Sequence, residues 1–205
     1  MPDPAAIAAI VLAAGASRRF GTDKLLHPLA RDGATMPLAS HSLLPWLQAF
    51  DTVTVIVKPQ AEAFCSAIEA ALGENPGSAI RWAVCEDAAE GMAASLRCGI
   101  QANRDAAGWL IGLADMPALP ASAIAGVRDA LIHGAAIAAA GYAGRRGHPV
   151  GFASRYYGEL LDLQGDAGAR SVLERNSTHV TLVEIEHNGI FTDIDHPIDL
   201  GQLNP

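Results

Sequence analysis

Three aspartates stand where metal chemistry could use them. Asp115 closes "GWLIGLAD", a run whose preceding residues are nearly all apolar, and Met116–Pro117 follow at once. A carboxylate ending a buried strand stands at the mouth of a cleft, and Mg²⁺ takes one or two carboxylates together with phosphate oxygens and water. The plainer alternative is an N-cap for the next helix. Asp193 and Asp195 in "FTDIDHP" are two positions apart, so an extended segment points both to one side. Two carboxylates on one side repel unless a cation lies between them. They could instead belong to a turn before a helix over "HPIDLGQL".

Cations gather near the start, in "VLAAGASRRFGTDK". The chain has 14 Lys and Arg in 205 residues, and Arg18, Arg19 and Lys24 all fall in this loop. Gly15 and Gly21 let the backbone approach a ligand, whose phosphate oxygens its N–H groups could surround. The loop is neither a Walker A motif, whose glycines are closer and whose lysine follows glycine directly, nor the G-x-G-x-x-G dinucleotide fingerprint. A polar turn with solvated arginines remains the alternative. In "RRGHPVGF", Arg145, Arg146 and His148 flank Gly147 in a loop before a strand, a plausible contact for an anionic group. In "GDAGAR", Asp166 could cap a helix over "AGARSVLERN", with Arg170 on its surface. The remaining histidines form no constellation.

The elements that must position these residues alternate. Apolar runs at 7–14, 52–58, 79–85 and 108–115 read as strands, the first closed by Gly15. Pro59 opens a helix through "AEAFCSAIEAAL", a second covers "MAASLRCGIQAN", and Pro120 suits the start of a third. Two further strands, 135–142 and 148–154, flank the loop "AGRRG". This alternation predicts a Rossmann-like α/β fold, with a mainly parallel sheet and helices on both faces. The continuous apolar character of the strands agrees, because such sheets are covered on both sides. Residues 1–205 are read as one domain, with a smaller C-terminal lobe beside the sheet after about residue 141. In such a sheet ligands lie outside the carboxyl ends of the strands, where the cationic loop, Asp115 and the acidic pair all fall.

Composition narrows the partners. A formal charge of −8 excludes a broad surface for nucleic acid, though not a small positive pocket for one anion. Cys65, Cys85 and Cys98 are widely spaced with no C-x-x-C, matching neither a disulfide framework nor a zinc site, and read as thiols of a reducing cytoplasm. The apolar N-terminal run follows Asp3 with no basic residue, unlike an export signal, and is too short to span a bilayer. A cytoplasmic, non-membrane protein is the expectation.

The loop "LAAGASRRFGTDK" resembles the L-A-[AG]-G-x-S-x-R-[MF]-G-x-x-K signature of nucleotidyltransferases with a GT-A-like fold. "LADMP", "GHP" and "DIDHP" follow in the order of one branch, the molybdenum cofactor cytidylyltransferases. The resemblance runs from the first strand to the last acidic motif. It implies that Lys24 and Arg18 hold a triphosphate, with Leu12, Ala13, Ala14, Gly15 and Ser17 against base and phosphates. Gly91 and Ser95, in "GMAASL", would line the nucleotide pocket. Arg146, Gly147 and His148 would face a pterin substrate. Asp115 would bind Mg²⁺, with Asp195 and Asp193 completing the metal shell, and Lys24, Arg18 and Asp115 would be the catalytic set. "AAG" in the signature goes with cytidine and "AGG" with guanine, so Ala14 favours CTP. Phe20 in place of methionine and His196 in place of a common threonine remove no carboxylate.

The reaction so implied is transfer of CMP from CTP to the phosphate of molybdenum cofactor, releasing pyrophosphate. A phosphate monoester has a second pKa of about 6, so it supplies a nucleophilic oxygen at neutral pH without a general base. The enzyme has only to align that oxygen and stabilise charge on the leaving group. Three alternatives stay open: guanylyl transfer to the same pterin, cytidylyl transfer to another small phosphate, and a non-catalytic cofactor-binding chaperone. Transient contact with a molybdoenzyme or its chaperone is compatible with each pterin reading.

Overall fold

The structure is a computed structural model that describes residues 6–203 apart from Ala16 and Arg18. In chain order the elements are β1 (Ile7–Leu12), β2 (Pro28–Arg31), β3 (Ala34–Pro37), α1 (Leu38–Ala49), β4 (Val53–Val57), α2 (Glu62–Leu72), α3 (Glu74–Gly77) and β5 (Ile80–Val84). Then come α4 (Met92–Ala102), β6 (Gly108–Leu113), α5 (Ala121–Ile132), β7 (Ile137–Tyr142), β8 (Arg145–Ala153), α6 (Tyr157–Leu161), α7 (Arg170–Arg175) and β9 (Val180–Glu184). Seven strands form one sheet in the order β5-β4-β1-β6-β8-β7-β9, and β2 and β3 form a separate hairpin. β1 pairs in parallel with both β4 and β6. Only β8 opposes the rest of the sheet, running antiparallel to β6 and β7, while β7 and β9 are again parallel.

Strand residues alternate between two apolar layers, as a pleat requires. Ala9, Val11, Val53, Val55 and Leu110 pack with Leu38, Leu43 and Trp46 of α1 and with Ile124 and Val127 of α5. On the other face Ile10, Ile56, Trp109, Ile111 and Phe152 meet Leu96 and Ile100 of α4, Leu160 of α6 and Leu173 of α7. Each such side chain, fully buried, contributes about 1.5–3 kcal/mol relative to exposure. Gly112 shows how close the layers come: the Cβ of an alanine there would strike the Trp46 ring. A glycine is what lets the edge of the indole reach β6.

The mainly parallel sheet with helices on both faces is as expected. The lobe beside the sheet is not: residues after 141 supply β8 and β9, and β8 inserts between β6 and β7. Its antiparallel pairing with β6, Ile111 opposite Val150, depends on a long return of the chain that local pattern does not reveal. The helix expected over "HPIDLGQL" is a 3₁₀ turn, Pro197–Leu203. The helix expected over "AGARSVLERN" is confined to α7, and its N-cap is Ala169, not Asp166. Among the described residues no helix is long and apolar enough to cross a membrane.

Candidate active site

β1 ends at Leu12 and β6 at Leu113, directly paired, so the loops that follow them emerge side by side. Backbone bonds continue the sheet one step further, Ala13 to Ile56 at 2.8 Å and Ala114 to Leu12 at 3.0 Å. Because β8 is antiparallel, its first residues, Arg145 to His148, lie at this same carboxyl edge. The chain beyond β9 returns here too: the Ile194 N–H donates to the Asp115 carbonyl at 3.0 Å. Topology thus brings the beginning, middle and end of the chain to one place.

In the cationic loop, Gly21 sits at φ +83° in the turn after Phe20, a conformation that favours glycine. Nothing lies within 4 Å of a Cβ built on Gly15, which leaves open space over the backbone there. Ala13 and Ala14 are buried. The Ser17 hydroxyl accepts a bond from the Lys24 N–H at 3.3 Å, and Asp23 caps the short 3₁₀ turn Lys24–Leu26. These contacts aim the Lys24 side chain inward, where it is only 7% exposed.

A buried ammonium needs partners, and Lys24 has three. Its Nζ donates to Asp115 Oδ2 at 2.7 Å, to the Ile194 carbonyl at 2.7 Å and to Asp195 Oδ1 at 3.2 Å. Burial pushes its pKa down, but Asp115 and Asp195 outweigh that and hold it above the ordinary lysine value. Burial pulls Asp115 above the usual carboxylate range, against the attraction of Lys24, and the charge of Asp193 adds to the rise. The second oxygen of Asp115, Oδ1, is buried with no hydrogen-bond partner. Asp115 is not a helix cap, since α5 begins after Pro120.

Asp193 and Asp195 part company. Asp195 Oδ2 accepts from Arg19 at 2.8 Å, so both its oxygens face cations. Burial is the largest single influence and raises its pKa, but the bonds and charges of Lys24 and Arg19 together outweigh it and bring it below the ordinary value. Asp193 is exposed, and its charge reaches both Asp115 and His148. His148 Nδ1 is buried and unpartnered; burial lowers the imidazole pKa, Asp193 opposes this and Arg146 adds to it. Arg146 is exposed on β8. Gly147 serves packing: a side chain there would collide with the backbone and side chain of Ile190.

Gly91 and Ser95 lie in the first turns of α4, which start beyond the carboxyl end of β5. Ser95 is buried. Gly91, at φ +121°, is pressed by Asp166 and Gly165 of the "GDAGAR" loop, and the Ala93 N–H donates to the Gly165 carbonyl at 3.0 Å. The carboxylate of Asp166 therefore stands over the start of α4. A cavity of about 620 Å³ opens next to it, lined by Glu90, Arg97 and residues 161–165.

Lys24, Asp115, Asp195 and Asp193 are thus neighbours, with His148 beside them. Arg18 lies outside the described residues. Arg19, which sequence reasoning left without a role, is at the site. The signal was in the signature, whose arginine immediately precedes the [MF]-G pair and so corresponds to Arg19. The Ile194 carbonyl had no readable signal, because a backbone acceptor carries no residue type.

Comparison with known proteins shows the family and the fold. The chain is 30% identical over 195 residues to the purine catabolism protein PucB of Bacillus subtilis (strain 168), covering 92% of this chain and 91% of that one. The crystal structure of Rv0371c from Mycobacterium tuberculosis H37Rv matches with a TM-score of 0.77 at 29% identity, over 97% of each chain. The Rv0371c complex with manganese matches with a TM-score of 0.72 at 26% identity, again over 97% of each. The profile of the MobA-like NTP transferase domain covers residues 9–180, and the chain belongs to that family of nucleotidyltransferases.

Proposed function

We propose that this nucleotidyltransferase transfers CMP from CTP to the phosphate of molybdenum cofactor, releasing pyrophosphate, with Mg²⁺ as its cation. One observation carries the metal-dependent part: the orphaned, buried Oδ1 of Asp115, held beside Lys24 at the carboxyl edge. A buried carboxylate oxygen without a donor costs free energy unless a ligand completes it. Asp115, Asp193 and Asp195 are the carboxylates that fit a hard divalent cation, Asp115 and Asp195 while also bonded to Lys24. Among the described residues no three His, Cys, Asp or Glu side chains gather on one point. Phosphate oxygens and water would therefore complete the shell, as Mg²⁺ allows. The manganese complex of the mycobacterial relative supports a divalent cation in this family.

When bound, the cation supplies charge stabilisation for the triphosphate. The chain's own residues do the rest. Lys24 and Arg19 balance the leaving pyrophosphate, and the family resemblance gives Arg18 a share in this. Leu12, Ala13, Ala14, Gly15 and Ser17 line the approach to base and phosphates, with Gly91 and Ser95 across the cleft. Arg146 and His148 meet the acceptor, whose phosphate is already a nucleophile. Ala14, through the family resemblance, supports cytosine over guanine. The Bacillus relative is named for purine catabolism, which suits a supplier of cofactor to a purine-oxidising molybdoenzyme.

The test is pyrophosphate release with Mg²⁺ and molybdenum cofactor, offering CTP, GTP, ATP and UTP in parallel. Release with CTP alone is expected. Release with GTP overturns the base assignment, and release only with a different phosphate acceptor overturns the pterin.

A further inference from the structure

One cluster at the carboxyl edge has no part in holding the nucleotide. The β7–β8 hairpin turns through Ala143 and Gly144, at φ +50° and +73°, and Tyr142 and Arg145 face each other as its last pair. Phe191, at the end of the 3₁₀ turn Asn188–Phe191, stands against both. The Arg145 guanidinium lies 4.6 Å over the Phe191 ring, and the Tyr142 ring meets that ring edge-on at 6.4 Å. Beneath them Ile190, fully buried, lies against Gly147 and holds the turn onto β8. The outer side is open: Tyr142 is 41% exposed, and Arg145 is exposed as well. The cluster is close to the chemistry. Phe191 precedes Asp193 by two residues, a span of at most about 7 Å, and Ile194 is bonded to Asp115.

Arg145 is also unusual in its partners. Among the described residues seven other arginines pair with a carboxylate. Arg145 pairs with none, in a chain that has 22 acidic residues to 14 basic ones. What holds it is a ring. A guanidinium stacked in this way is attracted by the ring face and keeps its N–H edge and its second face free. Such planes accept flat heterocycles: a ring stacks on the guanidinium or the phenol, and a ring carbonyl takes the N–H edge. A non-planar polyol would use neither face.

We propose that Phe191, Arg145 and Tyr142 form the seat for the ring system of the acceptor, and that the enzyme there selects a flat, carbonyl-bearing fused heterocycle. The seat binds and orients; no bond forms or breaks on it. The inference deepens the acceptor reading above and rests on it. It separates a pterin from a small aliphatic phosphate, which has nothing to stack.

The full chain, titrated with pterin-6-carboxylate, should quench the pterin's own fluorescence, and glycerol 3-phosphate should not displace it. Arg145→Ala should weaken pterin binding about tenfold or more, the size of one lost stacking partner. Arg145→Lys should not restore it, because the charge remains and the plane is gone. Tyr142→Ala and Phe191→Leu should act in the same direction; if Phe191→Leu unfolds, the two exposed hairpin residues carry the measurement. In the transfer assay Arg145→Ala should raise the KM for the acceptor and leave the KM for the nucleotide unchanged, whereas a merely structural role would move both. An unquenched pterin with wild type, equal binding by wild type and Arg145→Ala, or full rescue by Arg145→Lys overturns the seat. Pyrophosphate release with a non-planar acceptor, unaffected by Arg145→Ala, overturns it too and leaves nucleotidyl transfer standing. Release with another fused-ring phosphate, impaired by Arg145→Ala and absent with molybdenum cofactor, overturns the pterin and keeps the seat.

Discussion

The two ends of one sheet carry two polar networks of opposite character. At the amino edge Arg81 donates from Nε and Nη2 to Thr54 Oγ1 at 3.2 and 2.8 Å, to the Ala102 carbonyl at 3.1 Å, and to Asn103 Oδ1. Thr54 also donates to Asn103 Oδ1 at 3.2 Å, Asn103 Nδ2 donates to the Gly99 carbonyl at 2.8 Å, and Trp109 Nε1 to the Asn103 carbonyl at 2.9 Å. That network closes on itself. At the carboxyl edge Lys24 is fully partnered, but Asp115 Oδ1 and His148 Nδ1 are not. Among the described residues two other buried polar atoms lack partners, Ser40 Oγ and Trp46 Nε1, both within α1. A closed network stabilises; an open one at a cleft keeps its unmade bonds for a ligand. Unfinished hydrogen bonding, more than charge density, distinguishes the working end.

The sharpest way to break this contrast is Asp115→Asn. Turnover should fall on the order of 10²–10³-fold. Stability should drop by no more than about 1–3 kcal/mol, because the amide can still accept from Lys24. Pyrophosphate release and a denaturant curve on the same preparation would check both, and full activity would remove Asp115 from the chemistry. Asn103→Ala at the other edge should do the reverse. It leaves the buried Thr54 hydroxyl and the Arg81 guanidinium short of an acceptor, costing about 1–3 kcal/mol. Its kcat/KM measured well below the melting temperature should match wild type, and a loss comparable to Asp115→Asn would erase the distinction between the edges.

The smallest effect sharpens it by pH. Burial holds the folded His148 below its ordinary 6.5, so between the two values the unfolded chain binds more protons. Stability from this group is complete above about 6.5 and is lost as pH falls through the folded value. Unfolding free energy should therefore slope downward from pH 7 to pH 5, and His148→Gln should flatten that slope. An unchanged slope would show that His148 is protonated as easily in the fold as out of it.

Six of the sheet's strands were legible because both its faces are covered there: every residue of "VTVIV" is buried, Thr54 included, whereas β9 is largely exposed and gave no such run. The β2–β3 hairpin had a signal in Asp32–Gly33, both at positive φ, and a D-G pair between short runs is the usual mark of such a turn. α1 was harder, since it starts directly after Pro37 and carries Pro45 inside. At the site, Asp115 could be read from the apolar run that presents it. The division of labour between Asp193 and Asp195 could not, because it depends on which cation each one meets. Lys24 and Asp115 are 91 positions apart, and spacing says nothing about contacts of that range.

The bond from Lys24 to the Ile194 carbonyl joins positions 170 residues apart. During synthesis, at about 5–20 residues per second, the cationic loop leaves the ribosome roughly ten to thirty seconds before its last acceptor is made. A nascent chain cannot assemble the Lys24 cluster in that interval, however early β1 finds β4. The cluster is therefore complete only once residues 194 and 195 have been made. A ribosome stalled between residues 115 and 194 would display a basic loop that has Asp115 but lacks the Ile194 carbonyl and Asp195 until synthesis resumes.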